Sequence, residues 1–297
     1  MSISLRVGLI GLGLMGRGIG LSLLRDGHVL GIVAHQKRAT TEELLNLGAV
    51  EFKSPVDLAM NYDFIVTCLP SEEACRQVLL GNQGIVHSTR TDILVIECST
   101  LMPHNAIEFS DALGRSQISF VDAPVTRGPR EAELGKLNAI LAGSPDSISK
   151  ARPVLTSFCE GIFEVGSLGQ AYAAKLINNF LAFSNLAAIG EAMATAKQAN
   201  LDLRQLMAVI AVSGGQSRVL DGLVPTITSI GPSRSIVSIS TAHKDVKYYS
   251  ELSKKLKSAG PISQAVLAEF SRALEQDLGE ELTPKYLSFI DQSQVRE

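Results

Sequence analysis

The sequence predicts an α/β domain with a doubly wound, mostly parallel sheet, followed by an all-α C-terminal domain, the two joined by a long helix. Three observations lead to this prediction. In the first half of the chain, short apolar runs alternate with helical patterns, the order expected of parallel strands connected by helices. From residue 170 to about residue 200 the pattern stays helical, with Gly190 as its one glycine. After Val165 no run resembles a strand as strongly as those before it.

The strands of the first domain are predicted from seven apolar runs. These runs are apolar on successive residues, which is typical of strands buried on both faces of a parallel sheet. They are Arg6–Ile10, Val29–Ala34, Phe64–Cys68, Ile93–Cys98, Ile118–Val121, Leu137–Ala142 and Ile162–Val165. Helical patterns lie between most of them, for example Met15–Arg25, Glu42–Leu47, Glu72–Leu80 and His104–Leu113.

The second domain is predicted to consist of helices alone. Helical patterns cover Leu203–Val212, Thr241–Leu256 and Ser263–Leu274, with loops at Ser213–Gly215 and Gly231–Pro232. At about 1.5 Å per residue, the connecting helix would exceed roughly 40 Å, enough to leave one domain and enter another. We therefore expect a first domain over residues 1–166 and a second over residues 167–297.

Composition excludes several classes of protein. Hydrophobic residues make up 45% and charged residues 19% of the 297 residues, and the net charge is -3, so the chain can bury a large core and no basic patch points to nucleic acid. The charge-free stretch Leu176–Gly190 falls short of the roughly 20 apolar residues that span a bilayer. The four cysteines form no CxxC pair, so we expect no metal site and a reducing, cytoplasmic location.

A glycine-rich turn follows the first predicted strand and opens the first helix. It reads Gly11-Leu12-Gly13-Leu14-Met15-Gly16. This is the GxGxxG pattern in the context that dinucleotide binding requires, where the first glycine permits a tight turn, the second lets a pyrophosphate approach the backbone and the third lets helix and strand pack closely. We predict that the first domain is a Rossmann domain that binds a dinucleotide; a glycine-rich turn without a ligand is the alternative.

The end of the second strand bears on which dinucleotide is bound. NAD-binding domains usually carry Asp or Glu about 20 residues after the glycines, to hold the ribose 2′-hydroxyl. Here the chain reads Ala34-His35-Gln36-Lys37-Arg38, without an acid. Lys37 and Arg38, with His35 and Gln36 beside them, are suited to a 2′-phosphate. We predict that NADP(H) is preferred over NAD(H), against the alternative that these are only solvated loop charges.

Two later strand ends are predicted to complete the cofactor site, because ligands of such sheets bind beyond the carboxyl ends of the strands. Leu69 and Pro70 follow one strand, and Ser99 and Thr100 follow the next. By themselves, these segments are ordinary exits from a strand into a loop.

Six blocks, in this order and spacing, resemble the β-hydroxyacid dehydrogenases, the family of 3-hydroxyisobutyrate dehydrogenase that is more distantly similar to 6-phosphogluconate dehydrogenase. The blocks are the glycine turn, Cys-Leu-Pro at 68–70, Ser-Thr at 99–100, Asp-Ala-Pro-Val-Thr at 122–126, Lys-Leu-Ile-Asn-Asn at 175–179 and Lys-Asp at 244–245. The resemblance covers nearly the whole chain. It implies hydride transfer to or from a small anionic carbonyl or hydroxy-acid substrate, an active site between the domains, and a homodimer or homotetramer formed through the helical domain.

The resemblance also assigns roles to individual positions. It implies that Lys175 is the catalytic residue and that Asn179 and the segment Thr126–Gly128 meet the substrate. Asp122 and Asp245 would support the site. The residues implied to line the cofactor, besides the glycine turn, are Leu69, Pro70, Ala74, Thr100 and Lys244.

The chemistry expected of Lys175 agrees with this assignment. Reduction of a carbonyl by hydride leaves an oxygen that needs a proton, and a lysine can supply it if its surroundings lower its pKa towards the working pH. Lys175 is the only charged residue between Glu164 and Glu191, and Asn179 lies one helical turn further along the same face. The alternative is a lysine that extends from a buried helix to solvent.

The chain departs from the family pattern at two places. The family usually has Ser-Gly-Gly where this chain has Thr126, Arg127 and Gly128, and Ala171 stands where a glycine generally precedes the lysine. Thr126 retains a hydroxyl. We hypothesise that Arg127 adds an anion contact or narrows the pocket, against the alternative that it points to solvent. An imine reductase of the same architecture and a non-catalytic NADPH sensor are the competing functions.

Overall fold

A computed structural model describes residues 4–34, 38–233 and 237–293, with side chains to residue 290. The chain forms two compact units, Met1–Lys175 and Leu176–Glu297. The helix Gln170–Gln198 is continuous through the residues at which the first unit ends and the second begins. The predicted order, an α/β Rossmann domain followed by an all-α domain with a long helix between them, is confirmed.

The first unit contains β-strands and helices in alternation. Its strands are β1 Arg6–Ile10, β2 Val29–Val33, β3 Val50–Phe52, β4 Phe64–Thr67, β5 Leu94–Glu97, β6 Ser119–Asp122, β7 Val125–Thr126, β8 Leu137–Ala142 and β9 Cys159–Gly166. Its helices are α1 Leu14–Arg25, α2 Arg38–Asn46, α3 Pro55–Ala59, α4 Glu72–Leu80, α5 Pro103–Gly114, α6 Pro129–Glu133 and α7 Pro145–Thr156, followed by the start of α8 Gln170–Gln198. A 3-10 turn covers Ile85–His87.

The strands form one sheet in the order β3-β2-β1-β4-β5-β6-β8-β7, with β9 paired to β8. Neighbours from β3 to β6 run parallel, while β8 is antiparallel to β6 and to β7. The sheet is thus parallel through most of its width, as predicted. The chain direction along the sheet reverses between β1 and β4, and the carboxyl ends of these two strands lie side by side, with Ile10 opposite Thr67. This reversal is where open α/β sheets bind their ligands.

Hydrophobic cores cover both faces of this sheet. On β5, Leu94 and Ile96 belong to one core cluster and Val95 to the other. Residues of a strand point alternately to opposite faces, so a strand that contributes to two cores must be apolar at successive positions. This accounts for the unbroken apolar runs that predicted the strands.

The described residues of the second unit form helices joined by loops, with one isolated bridge between Ser238 and Leu282. Its core is built around large side chains such as Phe183, Phe270 and Tyr286. After α8 its helices are α9 Leu203–Ala211, α10 Arg218–Ile227, α11 Ile239–Lys255, α12 Pro261–Leu274 and α13 Pro284–Ser293. Of these, α10 and α13 were not predicted. Within the described ranges, no helix combines the length and apolar character that a membrane span requires.

Candidate active site

The glycine turn lies between β1 and α1, at the reversal of strand order. Gly11 has φ +102°, and a Cβ there would overlap the carbonyl oxygen of Cys68. A Cβ on Gly16 would overlap the carbonyl oxygen of Gly11. Both positions therefore require glycine for the close approach of β1, α1 and the end of β4. This is the packing that the sequence pattern predicts for the first and third glycines.

Gly13 differs from these two glycines because a Cβ on it would meet no atom within 4 Å. It is the N-cap of α1, where no side chain accepts a hydrogen bond from the first turn, and this turn contains no acidic residue. In α4 and α7, by contrast, Ser71 and Ser144 cap the helix. An open surface with helical amides that no side chain caps fits the pyrophosphate of a dinucleotide.

The exits of β4 and β5 are joined by a hydrogen bond. The backbone N–H of Leu69 donates to Oγ of Ser99 over 2.8 Å. Leu69, Ala74 and Thr100 are half-buried, and Pro70 is exposed. The two predicted exit segments are therefore held against each other, beside the glycine turn.

The predicted 2′-phosphate residues His35, Gln36 and Lys37 lie outside the described residues. Arg38, at the start of α2, is described and is 59% exposed. Its guanidinium donates to both carboxylate oxygens of Glu51, over 2.9 and 3.0 Å, and to Glu42 over 3.3 Å. These bonds raise the pKa of Arg38 above its ordinary value.

A buried carboxyl group that the sequence reasoning missed lies at the end of β5. Glu97 is fully buried, and its Oε1 accepts from the Ser99 N–H over 3.0 Å, from the Ser99 hydroxyl, and from the Thr67 hydroxyl over 3.3 Å. The thiol of Cys75 lies 3.7 Å from the same oxygen. The hydroxyl of Tyr172, on α8, donates to Oε2. Burial raises the pKa of Glu97, against the opposing effect of these hydrogen bonds.

A second buried carboxyl group caps α8. Both oxygens of Asp122, at the end of β6, accept from the Gly169 N–H over 3.1 Å, and one also accepts from the Tyr172 N–H over 3.2 Å. Burial raises the pKa of Asp122 to about 6, although these backbone hydrogen bonds oppose the shift. The first turn of α8 is thus fixed to the ends of two neighbouring strands.

Lys175 follows Tyr172 by three residues, so it lies one turn further along α8, and it is half-buried. Asp122 and Glu97 hold Tyr172 by hydrogen bonds. Because Tyr172 and Lys175 are on adjacent turns of one helix, these bonds also position the backbone that carries Lys175. The sequence analysis did not predict this anchoring, because it depends on strand ends that are distant from α8 in sequence.

In the second unit, Asn179 and Asp245 are buried and hydrogen-bonded to each other. The Asn179 amide donates to Oδ2 of Asp245 over 2.7 Å, and Nζ of Lys244 lies 3.3 Å from Oδ1 of the same carboxylate. Asn178 donates to Oδ1 of Asn179 over 3.1 Å. Asp245 therefore orients Asn179, for which a substrate role is predicted, and forms an ion pair with Lys244, for which a cofactor role is predicted.

The segment Thr126–Gly128 is not an open loop, because Arg127 and Gly128 are hydrogen-bonded to neighbouring residues. Thr126 ends β7, and Arg127 has a positive φ of 77°. The Arg127 guanidinium donates to the Lys136 carbonyl over 2.6 Å and to Glu160 over 3.1 Å. The Gly128 N–H donates to Glu131 over 3.1 Å at the start of α6. These groups have partners within the first unit, so an anion would have to compete with them.

No cluster of three or more His, Cys, Asp or Glu side chains suited to a metal ion occurs among the described residues. The four cysteines are free thiols. Three of them are buried, and burial raises the pKa of Cys159 to about 12.

Two family models match the chain in succession. The one described as the NAD binding domain of 6-phosphogluconate dehydrogenase matches residues 6–166. The other, described as NAD-binding of NADP-dependent 3-hydroxyisobutyrate dehydrogenase, matches residues 169–285. The first match contains the glycine turn, Glu97 and Asp122, and the second contains Lys175 and Asn179.

Known proteins are similar over almost the full length. The chain is 26% identical over 281 residues to 2-(hydroxymethyl)glutarate dehydrogenase from Eubacterium barkeri, which covers 95% of this chain and 93% of that protein. The crystal structure of 3-hydroxyisobutyrate dehydrogenase from Salmonella typhimurium has a TM-score of 0.86 at 25% identity, covering 96% of this chain and 100% of that one. Psf3 in complex with NADP+ and 2-OPP has a TM-score of 0.85 at 27% identity, covering 96% and 99%. Because both family models match in order and these enzymes match along nearly their whole length, the chain belongs to the β-hydroxyacid dehydrogenases, NAD(P)-dependent oxidoreductases that act on CH–OH groups.

Proposed function

We propose that this protein transfers hydride reversibly between NADP(H) and a small 3-hydroxy acid or its semialdehyde or keto-acid partner, with Lys175 as general acid and base. The observation that carries the proposal is the anchoring of α8. Asp122 and Glu97 fix the first turn of this helix to the ends of β6 and β5, and Lys175 lies on the following turn. These strand ends belong to the edge of the sheet that carries the glycine turn.

When bound, the nicotinamide would supply or accept the hydride, and the protein would handle the proton. Lys175 would donate a proton to the carbonyl oxygen during reduction and remove it from the hydroxyl during oxidation. The half-buried position of Lys175, on a helix whose start is fixed by hydrogen bonds, supports such a role because proton transfer depends on short, well-oriented contacts.

The substrate is proposed to carry a carboxylate or similar anionic group. Asn179, oriented by Asp245, would bond the substrate without adding charge. The segment Thr126–Gly128 would contact the anionic group, and Lys244 would approach the cofactor. The role of Arg127 stays a prediction, and its present partners, Glu160 and the Lys136 carbonyl, are ones that a substrate anion would have to displace.

NADP(H) is proposed as the preferred cofactor, used chiefly for reduction, with NAD(H) as the alternative. Arg38 is described at the start of α2, next in sequence to Lys37, and no acid occupies residues 34–38. Arg38 and the carboxylates that hold it are exposed to solvent, which weakens their attraction, so a phosphate can displace these carboxylates. A homodimer or homotetramer in the cytoplasm remains the predicted state.

The test is a panel of semialdehydes and keto acids with NADPH or NADH, followed at the nicotinamide absorbance band. We expect turnover with NADPH that falls about 1000-fold in Lys175→Ala, since a general acid contributes about 100- to 10,000-fold. Lys175→Arg should be equally slow, because guanidinium keeps its charge but does not release a proton at working pH. Lys197→Ala, an exposed lysine on the same helix, is the matched control and should retain full activity.

The alternatives predict other results. Turnover of cyclic imines but of no carbonyl acid would favour an imine reductase. Tight NADPH binding without turnover of either class would favour a sensor. Undiminished activity in Lys175→Ala would contradict the proposed role of this lysine, whatever the substrate.

A further inference from the structure

We propose that Glu97 is a positioning residue that couples the cofactor-binding strand ends to the helix carrying Lys175. The inference rests on the proposed function, which it deepens by adding a residue that none of the six sequence blocks contains. Glu97 has two oxygens, and the structure gives them different partners. One oxygen belongs to what we call the strand arm, and the other to the helix arm.

The strand arm consists of Glu97 Oε1, Thr67 and Ser99. Oε1 accepts from the Ser99 hydroxyl and N–H, and from the Thr67 hydroxyl at the last residue of β4. The Ser99 hydroxyl oxygen in turn accepts from the Leu69 N–H over 2.8 Å. The strand arm therefore sets the relative position of the two exits predicted to contact the cofactor.

The helix arm is the hydrogen bond from the Tyr172 hydroxyl to Glu97 Oε2. Tyr172 is fully buried and belongs to the core cluster that also contains Ile65 of β4 and Val95 of β5. Lys175 lies one turn beyond it on α8. The helix arm therefore controls how far the lysine-bearing turn stands from the end of β5.

Packing alone does not account for a glutamate at this position. The groups that hydrogen-bond Glu97 are hydroxyls, a thiol and an amide, none of which carries charge. A carboxyl group in such a place costs free energy that a leucine or methionine would not. The carboxyl group forms directional hydrogen bonds, which hold Ser99 through one oxygen and Tyr172 through the other. Apolar contacts are not directional and would fix the relative position of these elements less precisely.

The test separates the two arms with two conservative substitutions. Tyr172→Phe removes only the helix arm. We expect kcat to fall about 10-fold, because the turn that carries Lys175 is then less precisely positioned, while the NADPH dissociation constant stays within about 2-fold, because the strand arm is intact. Ser99→Ala removes the contact to Leu69, and we expect the dissociation constant to rise about 10-fold with a smaller change in kcat. NADPH fluorescence reports binding independently of turnover, and the protein contains no Trp to interfere.

Matched controls have the same chemistry elsewhere. Tyr286 is also a buried tyrosine whose hydroxyl donates to a glutamate, Glu269, and Tyr286→Phe should change neither constant. Ser263→Ala is the control for Ser99→Ala. It removes a buried serine hydroxyl that donates to a backbone carbonyl at the start of α12, and it should also change neither constant. If Tyr172→Phe and Ser99→Ala alter both constants in the same proportion, Glu97 only stabilises the fold and the inference is wrong.

A double-mutant cycle tests whether Glu97 itself transmits the effect. In a Glu97→Met background, which removes both carboxyl oxygens, Tyr172→Phe should lower kcat by less than about 2-fold, because residues in one hydrogen-bond network are not additive. A full 10-fold loss in that background would overturn the inference. If Glu97→Met does not fold, as judged by thermal melting, the single variants decide between coupling and simple stabilisation.

Failure of the proposed function gives a different result. Wild-type protein that turns over no carbonyl acid would overturn that function and the helix arm with it. The strand arm would then be judged by NADPH binding alone, where an unchanged dissociation constant in Ser99→Ala overturns it too.

Discussion

Helices α1 and α8 begin at the same edge of the sheet, but the backbone amides of their first turns differ in their hydrogen-bond partners. At α1, the N-cap Gly13 offers no side-chain acceptor and the space before it is open. At α8, the carboxylate of Asp122 accepts from the Gly169 and Tyr172 amides, and Glu97 holds the Tyr172 hydroxyl. One helix start is left for a ligand, and the other is completed by the protein.

The difference follows from what each helix would do. Free amides and the positive end of the helix dipole attract an anion, and a side-chain cap would compete with that anion. A helix that carries a proton donor has the opposite need, because small displacements of a catalytic group reduce the rate strongly. The same strand ends thus serve binding at α1 and positioning at α8.

The largest effect should come from closing the open helix start. Gly13→Val would place a side chain in the space that a pyrophosphate is proposed to occupy, at a position where an added Cβ meets no atom within 4 Å. We expect the NADPH dissociation constant to rise about 1000-fold, equivalent to about 4 kcal/mol, while the melting temperature stays near the wild-type value. Fluorescence titration and thermal melting measure the two quantities.

Gly114→Val is the control for this substitution. Gly114, at the end of α5, also has no atom within 4 Å of a Cβ, and it lies outside the proposed site. It should leave NADPH binding unchanged. Retention of tight binding in Gly13→Val would mean that the first turn of α1 does not hold the pyrophosphate, and the comparison between the two helix starts would collapse.

The sequence predicts the α1 start well and the α8 start poorly, for a physical reason. The glycine turn is local, because its three glycines all lie in the six-residue segment Gly11–Gly16, which directly follows β1. The anchors of α8 are remote, since Glu97 and Tyr172 are 75 residues apart and Asp122 and Gly169 are 47 apart. The one available signal for Glu97 was an acidic residue within the otherwise apolar run Ile93–Cys98.

The fold shows the same division between local and remote information. All seven predicted strands were found, because buried parallel strands leave unbroken apolar runs. The strands that were missed, β3 with 3 residues and β7 with 2, are too short to form such a run and exist through pairing with β2 and β8. Helix α10 was missed although Ser217 caps it, and it contains Pro225.

The second prediction concerns the pH dependence of the capped helix start. The folded state raises the pKa of Asp122 from 3.8 to about 6, so it binds the proton more tightly than the unfolded chain does. This contribution to stability is fully present below pH 3.8 and is lost as the pH rises through about 6. The shift corresponds to about 3 kcal/mol, at about 1.4 kcal/mol for each pH unit.

Asp122→Asn removes the titration while keeping the shape of the side chain. Between about pH 4 and pH 7, the free energy of unfolding of the wild type should fall by about 3 kcal/mol relative to this variant. Urea denaturation at several pH values measures it, and other titrating groups cancel in the difference. A curve for Asp122→Asn that runs parallel to that of the wild type would contradict the prediction.

The smallest effect is expected at a third helix start, that of α2, which lies between the two extremes. Arg38 is neither free nor buried, since exposed carboxylates of Glu51 and Glu42 hold its guanidinium. Glu51→Gln should weaken this hold and make Arg38 more available to a 2′-phosphate. We expect the preference for NADPH over NADH to rise about 5-fold, a small change because solvent screens an exposed ion pair.

Arg38→Ala should shift the preference in the opposite direction, by lowering affinity for NADPH while leaving affinity for NADH unchanged. Both shifts should shrink at high salt, because the charges are exposed to solvent. Glu164→Gln, which removes the partner of Arg152 in a similarly exposed pair, is the control and should alter neither affinity. If Glu51→Gln and Arg38→Ala leave the ratio of the two affinities unchanged, cofactor choice does not depend on Arg38. The start of α2 would then be a solvated surface like any other, and only α1 would remain as a helix start built for the dinucleotide.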